Sequence, residues 1–217
     1  MSGAAPLVAA VFASGGGSNL QALLDHRAAD PPWQVGLLVS DRPGAGALAR
    51  AQAARVPHRV ISTKGRTSDD VAAETLAALA HHGVQVVYLA GYLKLLPAPV
   101  VQAFSGRILN IHPALLPAFG GKGMWGMHVH QAVLASGARL SGPTVHLVDE
   151  EYDRGRILAQ WPVPVLPGDT PESLASRVLA VEHRLYPMTA DHLCRAVIQG
   201  REPDPLSLPG ETFTLVP

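Results

Sequence analysis

Short runs of apolar residues recur along the first half of the chain, and each is followed by a stretch whose apolar positions return every three or four residues. The first pattern suits buried strands and the second suits helices with one apolar face. Strands are expected at residues 7–13, 35–39, 57–61, 84–90 and 107–111, with helices at 19–24, 45–55, 68–82 and 99–104. The run 84–90 is almost wholly apolar, as a strand covered on both faces would be. Asp69, Asp70 and Glu74 gather towards the start of the third helix, where acids suit the helix dipole. Alternating strands and helices imply βαβ units and a mostly parallel sheet.

The second half is less regular. A helix is expected at 129–136, and strands at 141–148 and 157–165. Thr170 followed by Pro171 reads as an N-cap with proline at the first helical position. Leu174, Val178, Val181 and Leu185 then keep the spacing of a core-facing stripe. Pro187 should kink or break this helix, and Gly200 should end the one after it. The tail, 201–217, holds too many Pro and Gly residues for a long element. No repeat, linker or charge run divides the chain, so residues 1–217 read as a single domain. The fold class is α/β: a Rossmann-like, open, twisted sheet of about seven strands with helices on both faces.

Composition narrows the function. Hydrophobic residues make up 47% of the 217, which excludes a disordered chain. Lys plus Arg is 17 and Asp plus Glu is 17, so the formal charge is zero. That balance argues against nucleic acid and against a polybasic membrane-surface partner. No run of about 18 apolar residues offers a membrane span, and 7–13 is too short for a signal sequence. The lone Cys194 excludes an intramolecular disulfide and a multi-Cys zinc site, and fits a reducing compartment. A cytoplasmic protein is expected.

Three constellations carry candidate chemistry. Ser14-Gly15-Gly16-Gly17-Ser18-Asn19-Leu20 joins the first strand to the first helix. Glycines there let an anion approach backbone amides at a helix start. Leu20 replaces the third glycine of the dinucleotide fingerprint and no Lys-Ser/Thr follows, so one phosphate fits better than a pyrophosphate. A tight turn capped by Ser18 explains the same residues. Second, Asn110 and His112 stand two apart at the end of the fifth strand, so both project to one face. An amide donor beside a titratable imidazole suits acyl-group chemistry. A buried pair satisfied by backbone is the alternative. Third, Asp149, Glu150, Glu151 and Asp153 cluster after a strand. A carboxylate there could stabilise a protonated His, or the segment could be a solvated turn. His128 and His130 share no obvious face and no HExxH is present, so no metal is expected.

Taken together, the glycine loop, Leu89 to Leu96, the Asn110-Ile111-His112-Pro113 string running to Pro117, Gly142 to His146, Asp153 with Gly155, and Glu182 to Pro187 resemble the folate-dependent glycinamide ribonucleotide formyltransferase family. The resemblance runs from about residue 7 to about residue 200. It implies formyl transfer from 10-formyltetrahydrofolate, a co-substrate, to the free amine of glycinamide ribonucleotide in purine synthesis. Asn110 would bind the oxyanion, His112 would donate a proton, and Asp153 would hold His112 and raise its pKa. Gly17, Ser18, Asn19 and Glu182 would bind the ribonucleotide. Arg66, Leu93, Lys94, Leu95, Leu96, Asn110, Asp149, Glu150, Glu151, Tyr152 and Asp153 would bind the folate. On this reading 7–105 forms the ribonucleotide side and 106–200 the catalytic and folate side. A monomer or homodimer is expected. The chain departs from the family pattern in a longer, Gly-rich segment at 118–127 and in Arg154. Rival readings are a formyltetrahydrofolate deformylase, a methionyl-tRNA formyltransferase and a mononucleotide-binding module. The first two need an extra domain for which this chain has no expected room, and the third leaves Asn110, His112 and Asp153 as coincidence.

Overall fold

The computed structural model describes residues 5–26, 28 and 30–206. The first half alternates as its periodicity predicts: β1 (Leu7–Phe12), α1 (Ser18–Asp25), β2 (Trp33–Ser40), α2 (Gly46–Ala53), β3 (His58–Val60), α3 (Ser68–His81), β4 (Val86–Leu89), α4 (Ala98–Ala103) and β5 (Ile108–His112). Then come α5 (Met127–Ala135), β6 (Leu140–Ser141), β7 (Thr144–Leu147), β8 (Ile157–Gln160), β9 (Val163–Pro164) and α6 (Pro171–Ile198). Seven strands form one sheet in the order β3-β2-β1-β4-β5-β7-β8. The first five are parallel, while β7 runs antiparallel to β5 and β8 antiparallel to β7.

Side chains alternate across the sheet and fill two cores. Ala10, Phe12, Leu37, Val39, Val87 and Ile108 pack on one face beneath α3 and α4. Ala9, Val11, Leu38, Tyr88, Leu109 and Ile111 pack on the other beneath α1, α2 and α6. Each fully buried Leu or Ile adds about 1.5–3 kcal/mol over an exposed one. The Tyr186 hydroxyl donates to the carbonyls of Leu89 (2.9 Å) and Leu109 (3.2 Å), which ties α6 across β4 and β5.

Two expectations fail, one for a local reason and one for a tertiary one. The strands expected at 141–148 and 157–165 are each split, because Pro143 and Pro162 have no N–H to give to a ladder. The halves cut off, β6 and β9, pair with each other in a small antiparallel sheet. The expected break at Pro187 is absent: α6 runs unbroken to Ile198. Proline removes one helical hydrogen bond, but Leu185, Tyr186, Pro187 and Ala190 are all buried and their packing carries the helix through. The start is as expected. Thr170 accepts from the Ser173 amide, Ser173 accepts from the Thr170 amide, and Pro171 follows the cap. Gly200, with positive φ, lies just past the end. Of the tail, residues 201–206 form no long element and the rest lies outside the described residues.

Candidate active site

β5 delivers Asn110 and His112 at the carboxyl edge of the parallel strands, where open α/β sheets place ligands. β7 lies antiparallel beside it and sets His146 directly opposite Asn110. Asp153 enters from the loop after β7 with φ 55°, a left-handed conformation that Asp tolerates better than most residues. The loop returns tightly: a Cβ on Gly155 would stand 1.7 Å from the Leu147 carbonyl oxygen, so only glycine fits.

Carbonyl oxygens only accept, and this fixes the tautomers. His146 Nδ1 donates to the Leu147 carbonyl at 2.7 Å, so Nε2 accepts from Asn110 Nδ2 at 3.0 Å. The other Asn110 hydrogen goes to Asp153 Oδ1 at 3.3 Å. His112 Nε2 donates to the Phe119 carbonyl at 2.8 Å, which leaves Nδ1 3.5 Å from Asp153 Oδ2. The Gly121 amide donates to that same carboxylate oxygen at 2.8 Å.

Burial lowers the His112 pKa; Asp153 and the Phe119 carbonyl push it up, His146 pushes it down, and the net direction is downward. Asp153 therefore acts on His112 in the expected sense, while desolvation of the ring outweighs the carboxylate and sets the net direction. Burial pushes the Asp153 carboxyl up, but the facing His146 and His112 rings and the Gly121 amide hold it below its usual range.

These four side chains line a cavity of about 610 Å³. Leu93, Lys94, Leu95 and Leu96 line it too, and Ser14 Oγ accepts from the Leu93 amide at 2.9 Å. Glu151 and Tyr152 also line it. At one end Asn19 Nδ2 donates to Glu182 Oε2 at 2.6 Å. Glu182 is buried, which raises its pKa, while the Asn19 contact opposes the rise. The segment from Gly121 to Met127 forms a wall that carries Trp125, 50% exposed.

The other expected site residues stand elsewhere. Gly17 caps α1 with φ 74°. Ser18 lines an adjoining groove with Gln21, Arg50, His183 and Arg184. Asp149 accepts from the Glu151 amide and Glu150 from Gln102, and neither lines the cavity. Arg66 turns to the Ser62 and Asp70 carbonyls and to Glu74, away from the cavity lining. Sequence reading assigned no role to His146 or His130, both buried in the cavity wall. The alternation Thr144, Val145, His146 was the available signal, since it puts Thr144 and His146 on one face. Among the described residues no three His, Cys, Asp or Glu side chains form a group that could hold a metal ion.

A sheet of this order with an amide, two imidazoles and a carboxylate at its parallel edge defines a class. The family described as formyl transferase matches residues 8–190, and the chain belongs to that family. Within it the similarity is to phosphoribosylglycinamide formyltransferases. The chloroplastic enzyme of Arabidopsis thaliana is 50% identical over 196 residues, which cover 89% of this chain and 67% of that protein. The chloroplastic enzyme of Vigna unguiculata is 47% identical over 197 residues, covering 89% of this chain and 62% of that protein. The chain thus spans 67% and 62% of these two plant proteins. The crystal structure of glycinamide ribonucleotide transformylase 1 from Symbiobacterium toebii superposes with a TM-score of 0.82 at 38% identity, covering 90% of this chain and 94% of that one.

Proposed function

We propose that the chain transfers the formyl group of 10-formyltetrahydrofolate to the free amine of glycinamide ribonucleotide, giving N-formylglycinamide ribonucleotide and tetrahydrofolate in purine synthesis. The observation that carries the proposal is the convergence of Asn110, His112 and Asp153 on one cavity wall. The amine nitrogen attacks the formyl carbon, an oxyanion forms, and the bond to the folate nitrogen breaks as a proton reaches that nitrogen. Asn110 supplies the N–H for the oxyanion, on turning one hydrogen from its present acceptor. His112 moves the proton. Its lowered pKa keeps the ring neutral at rest and makes the imidazolium, once formed, a strong enough acid to release it. Asp153, 3.5 Å from Nδ1, stabilises that imidazolium.

The ribonucleotide is assigned to the end of the cavity at Asn19 and Glu182, with its phosphate on the amides at Gly17 and Ser18. The folate is assigned to Leu93 to Leu96 and Glu151 to Asp153, with Lys94 among the cationic side chains that line the cavity. Asp149, Glu150 and Arg66 remain assigned to the folate side, outside the lining. One domain is taken to span both halves, in keeping with the single sheet that crosses them. A monomer or homodimer is assigned, and work in the cytoplasm without nucleic acid or membrane is supported by the zero net charge and the lone thiol. No described helix is long and apolar enough to cross a membrane.

The test is to follow 10-formyltetrahydrofolate by absorbance with and without glycinamide ribonucleotide. Formyl loss only with the amine present, with matching N-formyl product, is expected. Equal loss without it makes water the acceptor and overturns the proposal, as does no reaction in either case.

A further inference from the structure

We infer that Arg50 is a positioning residue that sets the glycine loop to receive the phosphate of the amine substrate; this deepens the proposed function and rests on it. The loop lies on the first turn of α2. The Ala47 amide donates to the Gly15 carbonyl at 3.1 Å, and Arg50 Nε donates to the Gly16 carbonyl at 2.8 Å. In a trans peptide the carbonyl and the following N–H point in opposite directions. Pinning these two carbonyls to α2 therefore turns the Gly16 and Gly17 amides away from it.

Neither of those amides, nor that of Ser18, donates to another group among the described residues. Three consecutive N–H groups at a helix start form an anion-binding concavity. The loop sits close enough to be fixed: a Cβ on Gly17 would lie 2.8 Å from Ala47, and one on Gly46 3.2 Å from the Gly16 Cα. Arg50 also reaches α1, where Nη1 donates to Gln21 Oε1 at 3.1 Å. One side chain thus spans α2, the loop and α1. No described carboxylate forms an ion pair with it, so its charge is available to an anion in the groove it shares with Ser18. The guanidinium sets both the direction of the amides and the sign of the field around them.

The experiment compares wild type, Arg50→Met and Arg50→Lys with glycinamide ribonucleotide and with its dephosphorylated riboside. Arg50→Met is expected to raise KM for the ribonucleotide about tenfold, the scale of one charge-assisted hydrogen bond, with kcat and the folate KM within about twofold. The riboside KM should hardly move, so the advantage given by the phosphate shrinks. Arg50→Lys, which keeps the charge and one donor, should recover most of it. An unchanged ratio of the two KM values, or a joint loss of kcat and both KM values, overturns the inference in favour of a purely structural role. Inorganic phosphate titrated into wild type and Arg50→Met by calorimetry reads the loop without turnover. Weaker binding by the variant supports the inference and equal binding overturns it, even if the wild type were to formylate some other amine.

Discussion

Asp153→Asn removes one negative charge and keeps nearly the same shape. The carboxylate stands 3.5 Å from His112 Nδ1 and 3.6 Å from His146 Nε2, with its side chain 10% exposed. At an effective dielectric of about 20, unit charges at that separation attract by about 5 kcal/mol, an upper bound before the site relaxes. An asparagine oxygen can keep the Gly121 amide bond, but its amide nitrogen then faces Asn110 Nδ2, donor against donor. A net loss of about 3 kcal/mol for the imidazolium is expected, which is about 100-fold in kcat, with the His112 pKa moved further down. The sign follows from the contributions to that ring: burial already depresses it and Asp153 resists, so losing Asp153 carries it further down. The assay is kcat with both substrates saturating, beside an NMR titration of the His112 ring protons. A His112 titration that stays in place, or a kcat within about twofold of wild type, refutes the pairing.

Glu182→Gln should keep the Asn19 contact and raise KM for the ribonucleotide about tenfold with a smaller change in kcat. Burial raises the Glu182 pKa, so the wild-type KM should climb as mild acid protonates it, and the variant should lose that dependence; a KM that tracks pH equally in both would contradict the role. Asp169→Ala removes an acceptor held by both Arg177 Nη groups, Ser173 Oγ and the Leu166 amide, and should cost about 1–3 kcal/mol in urea unfolding at neutral pH. Arg177 above all holds the Asp169 pKa well below its usual range, so its contribution is complete above about pH 4 and fades as pH falls through the depressed value. The gap between variant and wild type should therefore narrow in acid, and a gap constant with pH would count against this origin.

Much of the fold was legible because periodicity is a local property. Residues 7 to 112 alternate between two side-chain periods, and the structure places elements where those periods change. The splits at Pro143 and Pro162 were missed although the signal was local: neither residue can donate to a ladder, but apolar neighbours on both sides masked them. The unbroken helix at Pro187 was not legible, because burial of Leu185 and Tyr186 against a sheet formed far earlier in the chain decides it. The site divides in the same way. Asn110 and His112 share a face by alternation alone. That Asp153 meets them depends on a loop closing through Gly155, and His146 depends on the register of a strand pair. The direction of the His112 pKa depends on how much protein surrounds the ring, which spacing does not encode.

The register of β5 against β7 has a consequence for how the chemistry is kept accurate. Asn110 faces His146 only while Ile111 faces Val145 on the opposite side of the sheet. A slip of one residue would put Val145 or Leu147 opposite Asn110 and would turn the apolar set towards the cavity. Ile111 and Val145 are 6% and 0% exposed, so such a slip would expose buried apolar surface and bury polar groups without partners. The hydrophobic side of these strands thus works as a ruler for the reactive side. Errors of a full residue step, too coarse for hydrogen bonds alone to exclude, are rejected by groups that never touch a substrate.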